Sequence, residues 1–299
     1  MSSPTLINNF WKTLELKKSP PKFVKKINII NFEVLKHSIN NRNFFFIKSL
    51  AKRMYAGEAF ILRNAAGKNL KKIILDLAKH YDKKQKPSFH KMLDGAPNFH
   101  RIIDKKITKK YSLYAIKHSY FFYNWNIKTK LEKKFKQNVY RHWRYIKYLA
   151  GNNKFQYEKN IPSQKQIDRL QIVNYPLGGG ELRDHVDPRK NQRIVSGLIM
   201  SKKGIDFNKG GFYFRDKKNK ILNIEDKLEI GDSVIFYGSI VHGVQPVDKE
   251  KKLDWKSYNG RWFVGMFVND SNHVKNRITA NDLSYSTNYK RNKLEVKKN

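Results

Sequence analysis

The chain has 299 residues, 39% of them hydrophobic, a net charge of +37 and no cysteine. That apolar share is enough for a sizeable core, and the absence of thiols removes thiolate zinc, iron–sulfur and disulfide chemistry. No apolar run approaches the roughly 18 residues that span a bilayer, and the stretch from Met1 to Ile7 lacks the hydrophobic region of a signal peptide, so the sequence reads as a cytoplasmic globular protein.

In chain order, residues 1–40 read as a basic surface or partly disordered lead, with Ser19-Pro20-Pro21 as a breaker. Residues 41–164 read as a helical support region packed on the core. Within it Gly57–Arg63 is a strand, and Leu70, Ile73, Ile74, Leu77 and Tyr81 fall at helical spacing. Lys83–Asn98 is punctuated by Pro87, Gly95 and Pro97 as a loop. The aromatic run from Tyr111 to Asn126 has two readings, a stacking platform and a core element, and burial statistics favour the core. His90, His100 and His118 read as hydrogen-bonded structural histidines. From Lys128 to Ala150 the stripe Leu131, Phe135, Val139, Trp143, Ile146 and Leu149 marks a long helix with a basic outer face.

Residues 165–270 are dense in strands: Asp168–Tyr175, Arg193–Ser201, Gly211–Arg215, Ser233–Tyr237 and Arg261–Val268. Gly178-Gly179-Gly180 allows a tight turn between two of these strands. On the last strand Arg261, Phe263, Gly265 and Phe267 share one face, taken as inward, with Gly265 leaving room for a ligand. Residues 271–299 read as a basic C-terminal tail.

Chemistry concentrates in three short pieces of this region. In an extended segment alternate side chains share a face, so His185 and Asp187 form a chelating pair. His242 follows the β-rich run Ser233–Tyr237 and supplies a second imidazole from 55 residues further on. Two imidazoles and a carboxylate on one face of an octahedron leave positions free for substrates and O₂, which suits non-haem Fe(II). Arg261, 19 residues after His242, offers a rigid fork of donors suited to a carboxylate.

The order and spacing of Tyr175, His185-Val186-Asp187, Gly210-Gly-Phe-Tyr-Phe214, His242-Gly-Val-Gln-Pro-Val247 and Gly260-Arg261 resemble the Fe(II)- and 2-oxoglutarate-dependent dioxygenases, in their prolyl-hydroxylase-like branch. The resemblance implies an α+β fold: a double-stranded β-helix, or jelly roll, buttressed by N-terminal helices. It implies His185, Asp187 and His242 as catalytic metal ligands, and Arg261, helped by Tyr175, as the anchor for the far carboxylate of 2-oxoglutarate. Ascorbate enters as a reductant. The reaction implied is oxidative decarboxylation of 2-oxoglutarate to succinate, coupled to hydroxylation of an unactivated C–H bond. Three departures stand out: the segment Asp248–Asn259 lengthens the approach to Arg261, Phe263 replaces a common hydroxyl residue, and Leu198-Ile199-Met200 supplies no second carboxylate partner. Arg193 is the alternative for completing the clamp. Two other classes stay open, a basic binding protein on a β-helix scaffold without turnover and a cupin-type iron dioxygenase that does not use 2-oxoglutarate.

The charge is uneven. Residues 1–150 carry 34 Lys and Arg against 8 Asp and Glu, and the remainder 28 against 17. An anionic substrate, nucleic acid or an anionic membrane surface would each meet such a field. Codon bias toward Lys, Asn and Ile is the plainer reading, because the lysines are scattered and no nucleic-acid-binding motif accompanies them.

Overall fold

The computed structural model describes residues 3–67, 69–87, 99–110, 113–275 and 281–282. Helix α1 (Ser3–Lys17), strand β1 (Lys26–Asn31), helices α2 (Phe32–Asn40) and α3 (Phe44–Tyr55), strand β2 (Glu58–Arg63) and helix α4 (Leu70–Lys84) come first. Strands β3 (Phe99–Ile103) and β4 (Ala115–Tyr123) lead to the long helix α5 (Lys130–Leu149). Then follow β5 (Gln166–Pro176), β6 (Gly180–Val186), β7 (Ile194–Ile199), β8 (Gly211–Arg215), β9 (Ile221–Asn223), β10 (Ser233–Tyr237), β11 (His242–Val247), β12 (Gly260–Asp270) and the short β13 (Asn281–Asp282).

Two layers arise because β4 belongs to both. Its residues His118–Tyr123 pair with β5, continuing the order β1-β2-β10-β7-β12-β5-β4, whereas Ala115 and Ile116 pair with β6, which opens the second layer β6-β11-β8-β9. Strands β1 and β2 run parallel, and the other pairings are antiparallel. Between the layers lie Val195, Ile199, Phe214, Val234 and Phe236 toward one end and Val173, Tyr175, Leu182 and Val244 toward the other. This is the double-stranded β-helix that the sequence implies.

The helices cover the outer face of the larger layer, where Phe60, Leu62, Tyr120, Phe122, Leu170, Ile172, Leu198, Ile235, Trp262 and Val264 meet Leu50, Ile74, Phe135, Val139 and Trp143. Helix α5 has the stripe read from its spacing. Thr129 caps it by accepting from Glu132 N–H, and the Glu132 carboxylate reaches back to Thr129 N–H in a capping box. Its basic face is not wholly solvated: Lys147 is 2% exposed and paired with the equally buried Asp168. The aromatic run is β4, and Tyr120, Phe121, Phe122 and Tyr123 are all buried as core.

The lead is a correction. Residues 3–40 fold as α1, β1 and α2, with Ile7 and Trp11 completely buried and the Trp11 indole N–H donating to Leu149 O at 2.7 Å. The division at residue 165 also shifts, because β2, β3 and β4 from the supposed support region are hydrogen-bonded into the sheet. Most of the loop expected over Lys83–Asn98 lies outside the described residues, as does the tail apart from residues 271–275 and 281–282.

Candidate metal centre

His185 near the end of β6 and His242 at the start of β11 are direct cross-strand partners. Such partners on one face hold their side chains within contact distance, and the two imidazole centroids lie 4.1 Å apart. Asp187 follows β6, and its backbone N–H donates to Gly238 O at 3.0 Å. That turn brings Asp187 Oδ2 to 3.4 Å from His242 Nε2. His185 Nδ1 lies 2.9 Å from Arg183 O and His242 Nδ1 2.9 Å from Ile240 O. A carbonyl only accepts, so each Nδ1 carries the proton and each Nε2 presents its lone pair, the orientation a metal ligand needs.

The electrostatics agree with the geometry. Burial, joined by the neighbouring His242, pushes His185 down to about 4, so the ring stays neutral and able to ligate. Burial would raise Asp187, but the adjoining imidazoles of His242 and His185 hold it below the usual carboxylate range. Rings of Phe236 at 4.6 Å and Phe212 at 5.8 Å wall His242. One atom from each of His185, Asp187 and His242 lies within 4.8 Å of the others, and the nitrogen–nitrogen–oxygen set fits Fe(II). Asp184, beside His185 in sequence, points away. It accepts from Tyr213 Oη at 2.6 Å and from Arg215 through both Nε and Nη2, tying β6 to β8.

Tyr175 and Arg261 face each other across β5 and β12. The Tyr175 hydroxyl is buried with no hydrogen-bond partner among the described residues, and burial pushes its pKa up against the pull of Arg261. An unpartnered hydroxyl beside a buried guanidinium is a donor pair that a ligand carboxylate would complete. By that observation 2-oxoglutarate fits. No motif or spacing pointed to Glu225, which is 1% exposed and ion-paired with Arg261 Nε. Its Oε1 also accepts from Phe212 N–H at 2.6 Å, while Oε2 is buried with no partner among the described residues. Gly211 admits this carboxylate: its φ is +99°, and a Cβ there would collide with Glu225 Cγ.

Two expectations fail. Arg193 is far from any clamp, with Nε and Nη2 on the Glu15 carboxylate and Nη1 on Asn8 Oδ1, so it fastens α1 to the sheet. The space at Gly265 is filled by aromatic side chains, since a Cβ there would come within 2.5 Å of Phe267 and 3.2 Å of Phe263.

Three cations near the centre escaped sequence reading. Burial, with repulsion from Arg101 and Arg169, pushes Lys117 down to about 7 against the attraction of Asp187. The Arg101 guanidinium lies 4.4 Å from the Phe121 ring centroid, and that of Arg169 4.9 Å from Phe267. The signal was present as alternation: Lys117, Ser119 and Phe121 share one face of β4 while Tyr120 and Phe122 pack under the helices.

No family model matches the sequence, and no curated protein matches it. Solved structures do. A full-length protein of Neurospora crassa, in complex with α-KG and 5-formyluracil, is 14% identical over 83% of this chain and 85% of that one, with a TM-score of 0.50. A Pseudomonas putida prolyl-4-hydroxylase is 11% identical over 70% and 91%, at 0.43, and a 2OG-Fe(II) oxygenase-family oxidoreductase from Burkholderia pseudomallei is 11% identical over 73% and 89%, at 0.38. The first of these shows the fold alone, a double-stranded β-helix shared with this chain.

Proposed function

We propose that the chain is an Fe(II)- and 2-oxoglutarate-dependent oxygenase that hydroxylates an unactivated C–H bond of an anionic substrate. The observation that carries this reading is the convergence of His185, Asp187 and His242 beside the unpartnered Tyr175 hydroxyl and Arg261. The neighbour from Neurospora crassa is bound to α-KG, and the same cosubstrate is proposed here on the residues of this chain.

His185, Asp187 and His242 would hold the iron, which when bound supplies O₂ activation coupled to decarboxylation of the cosubstrate. The two backbone carbonyls that fix the Nδ1 protons keep both imidazoles aimed at the metal. Arg261 and Tyr175 would take the far carboxylate, orienting the cosubstrate in a pocket walled by Phe212 and Phe263, whose ring centroids lie 5.9 Å and 5.8 Å from the guanidinium. Lys117 and Arg169 place positive charge beside Asp187, with Arg101 close to Lys117, and an anionic group on the substrate would answer it.

One observation favours a second reading. Glu225 already occupies Arg261 Nε, as expected of an iron dioxygenase in which this arginine is structural and 2-oxoglutarate is not used. Aerobic incubation of Fe(II)-loaded protein with 2-oxoglutarate separates the two. Succinate formation that stops in Asp187→Ala supports the oxygenase. O₂ consumption independent of 2-oxoglutarate supports the second reading.

A further inference from the structure

On the outer face of the larger layer, under α4, lies a second cluster: Asp82 from α4, His100 from β3 and His118 from β4. Both imidazoles are buried, His100 completely. His100 Nε2 is 2.7 Å from Gln85 O and must donate there, so the neutral ring turns a lone pair outward at Nδ1. That atom lies 2.8 Å from His118 Nε2 and 3.3 Å from Asp82 Oδ1, and His118 Nε2 lies 3.7 Å from the same oxygen. The Tyr120 hydroxyl, 3.0 Å from each Asp82 oxygen, donates to that carboxylate and so accepts from His118 Nδ1 at 3.2 Å. His118 Nε2 is therefore a lone pair as well.

Three acceptors consequently converge in a mostly buried space. One proton shared between the imidazoles would relieve a single contact of the three and leave two edges of lone pair against lone pair. A divalent cation satisfies all three together. Ligand bonds of 2.0–2.1 Å in a tetrahedral zinc site put ligand atoms about 3.3 Å apart, and the three separations here bracket that distance. The outer partners are those of a metal site: Gln85 O fixes the tautomer of His100, and the hydroxyls of Tyr120 and Tyr258 hold the Asp82 carboxylate, the latter at 2.9 Å.

We propose that Asp82, His100 and His118 bind a zinc ion, with a fourth position open on the side where Asp82 is 24% exposed. No redox step is involved. The ion would fasten three parts of the chain to one another: the C-terminal turn of α4, the strand β3, whose described pairing is with β4 alone, and the segment Asp248–Asn259 through Tyr258. It lies across the sheet from the first centre, because His118 and Lys117 are adjacent on β4 and face opposite sides. The histidines read from sequence as merely hydrogen-bonded would then be ligands.

The test is kept independent of the oxygenase reading by using the Asp187→Ala/His242→Ala protein, which lacks the first centre. Chelator-stripped protein is titrated with Zn(II), and metal per chain is counted after removal of the free ion. Retention of one zinc per chain is expected, together with a zinc-dependent rise in melting temperature. Adding Asp82→Asn, which keeps the shape of the side chain, should weaken zinc binding by at least about tenfold. Adding His100→Gln and His118→Gln should abolish it. Co(II) in place of zinc gives a readout that does not depend on the variants folding equally well: intense visible bands of a tetrahedral ion in the Asp187→Ala/His242→Ala protein support the site. A folded protein of that background that holds no zinc and gives no such bands overturns it, and the imidazoles then share a proton.

Discussion

Asp187 is the only carboxylate among the three converged ligand atoms, and its alanine variant tests the centre most directly. Asp187→Ala should lose stoichiometric Fe(II) binding and succinate formation while keeping its circular dichroism spectrum, because the core between the layers is built from other residues. Full turnover by the folded variant would remove the assignment. Arg261 calls for a paired experiment, since it faces both the proposed cosubstrate and Glu225. Arg261→Leu should weaken 2-oxoglutarate binding by about 2–5 kcal/mol, the range for truncating one partner of a buried charge pair. It should also destabilise the fold by about 3–5 kcal/mol, because Glu225 keeps a buried charge with no counter-ion. Glu225→Gln separates the two effects: the half-saturation for 2-oxoglutarate in succinate formation should stay the same or fall as the guanidinium is released. A rise as large as that in Arg261→Leu would make the ion pair, and not the cosubstrate, the reason for Arg261. The pairing of His185 with Asp187 was legible in the sequence because strand periodicity puts them on one side. Glu225 was not, since it sits in the short 3₁₀ turn Glu225–Lys227 and reaches Arg261 only because Gly211 has no side chain.

At the scale of elements, α1 shows where composition misleads. Lys12, Lys17, Lys18 and the following prolines look like a solvated lead, yet Ile7, Trp11 and Leu14 fall on one helical stripe, and Trp11 stacks on Tyr237 at 5.6 Å. Trp11→Ala should cost about 3–5 kcal/mol in chemical denaturation, as for a large aromatic removed from a core. A loss under about 1 kcal/mol would mean that α1 detaches freely. The seam between α5 and the sheet carries a pH dependence. His142 is completely buried against the hydroxyls of Ser196 and Ser233, and burial pushes its pKa from 6.5 down to about 3. The ring is neutral in the folded state but takes up a proton on unfolding below 6.5, so its contribution to stability is intact above that pH. It is lost at about 1.4 kcal/mol per pH unit as the pH falls toward 3. Stability curves for His142→Gln should therefore be flatter than wild type between those limits, whatever the offset at neutral pH. Parallel curves would place the acid sensitivity elsewhere. Such a histidine cannot be told from sequence, because only the packing of α5 onto β7 and β10 removes it from water.

For the whole molecule the open quantity is the charge of +37. Scattered surface lysines produced by codon bias would leave turnover of the substrate nearly independent of salt, since exposed charges are screened and act on no particular ligand. Lys117, Arg101 and Arg169 are different, because Lys117 and Arg169 act on Asp187 and Arg101 acts on Lys117, while both arginines lie against aromatic rings. If these cations receive an anionic group of the substrate while the outer lysines attract it, kcat/KM should fall steeply as salt rises through roughly 0.05 to 0.2 M. Lys117→Met should then raise the KM for that substrate and flatten the salt dependence, leaving the half-saturation for 2-oxoglutarate close to wild type, because Arg261 and Tyr175 would bind the cosubstrate. A variant that instead loses 2-oxoglutarate binding would make Lys117 part of the cosubstrate clamp. Salt-independent kinetics in both proteins would return the charge to codon bias. The sequence could display the excess of lysine but not this distinction, which depends on one lysine of β4 pointing inward.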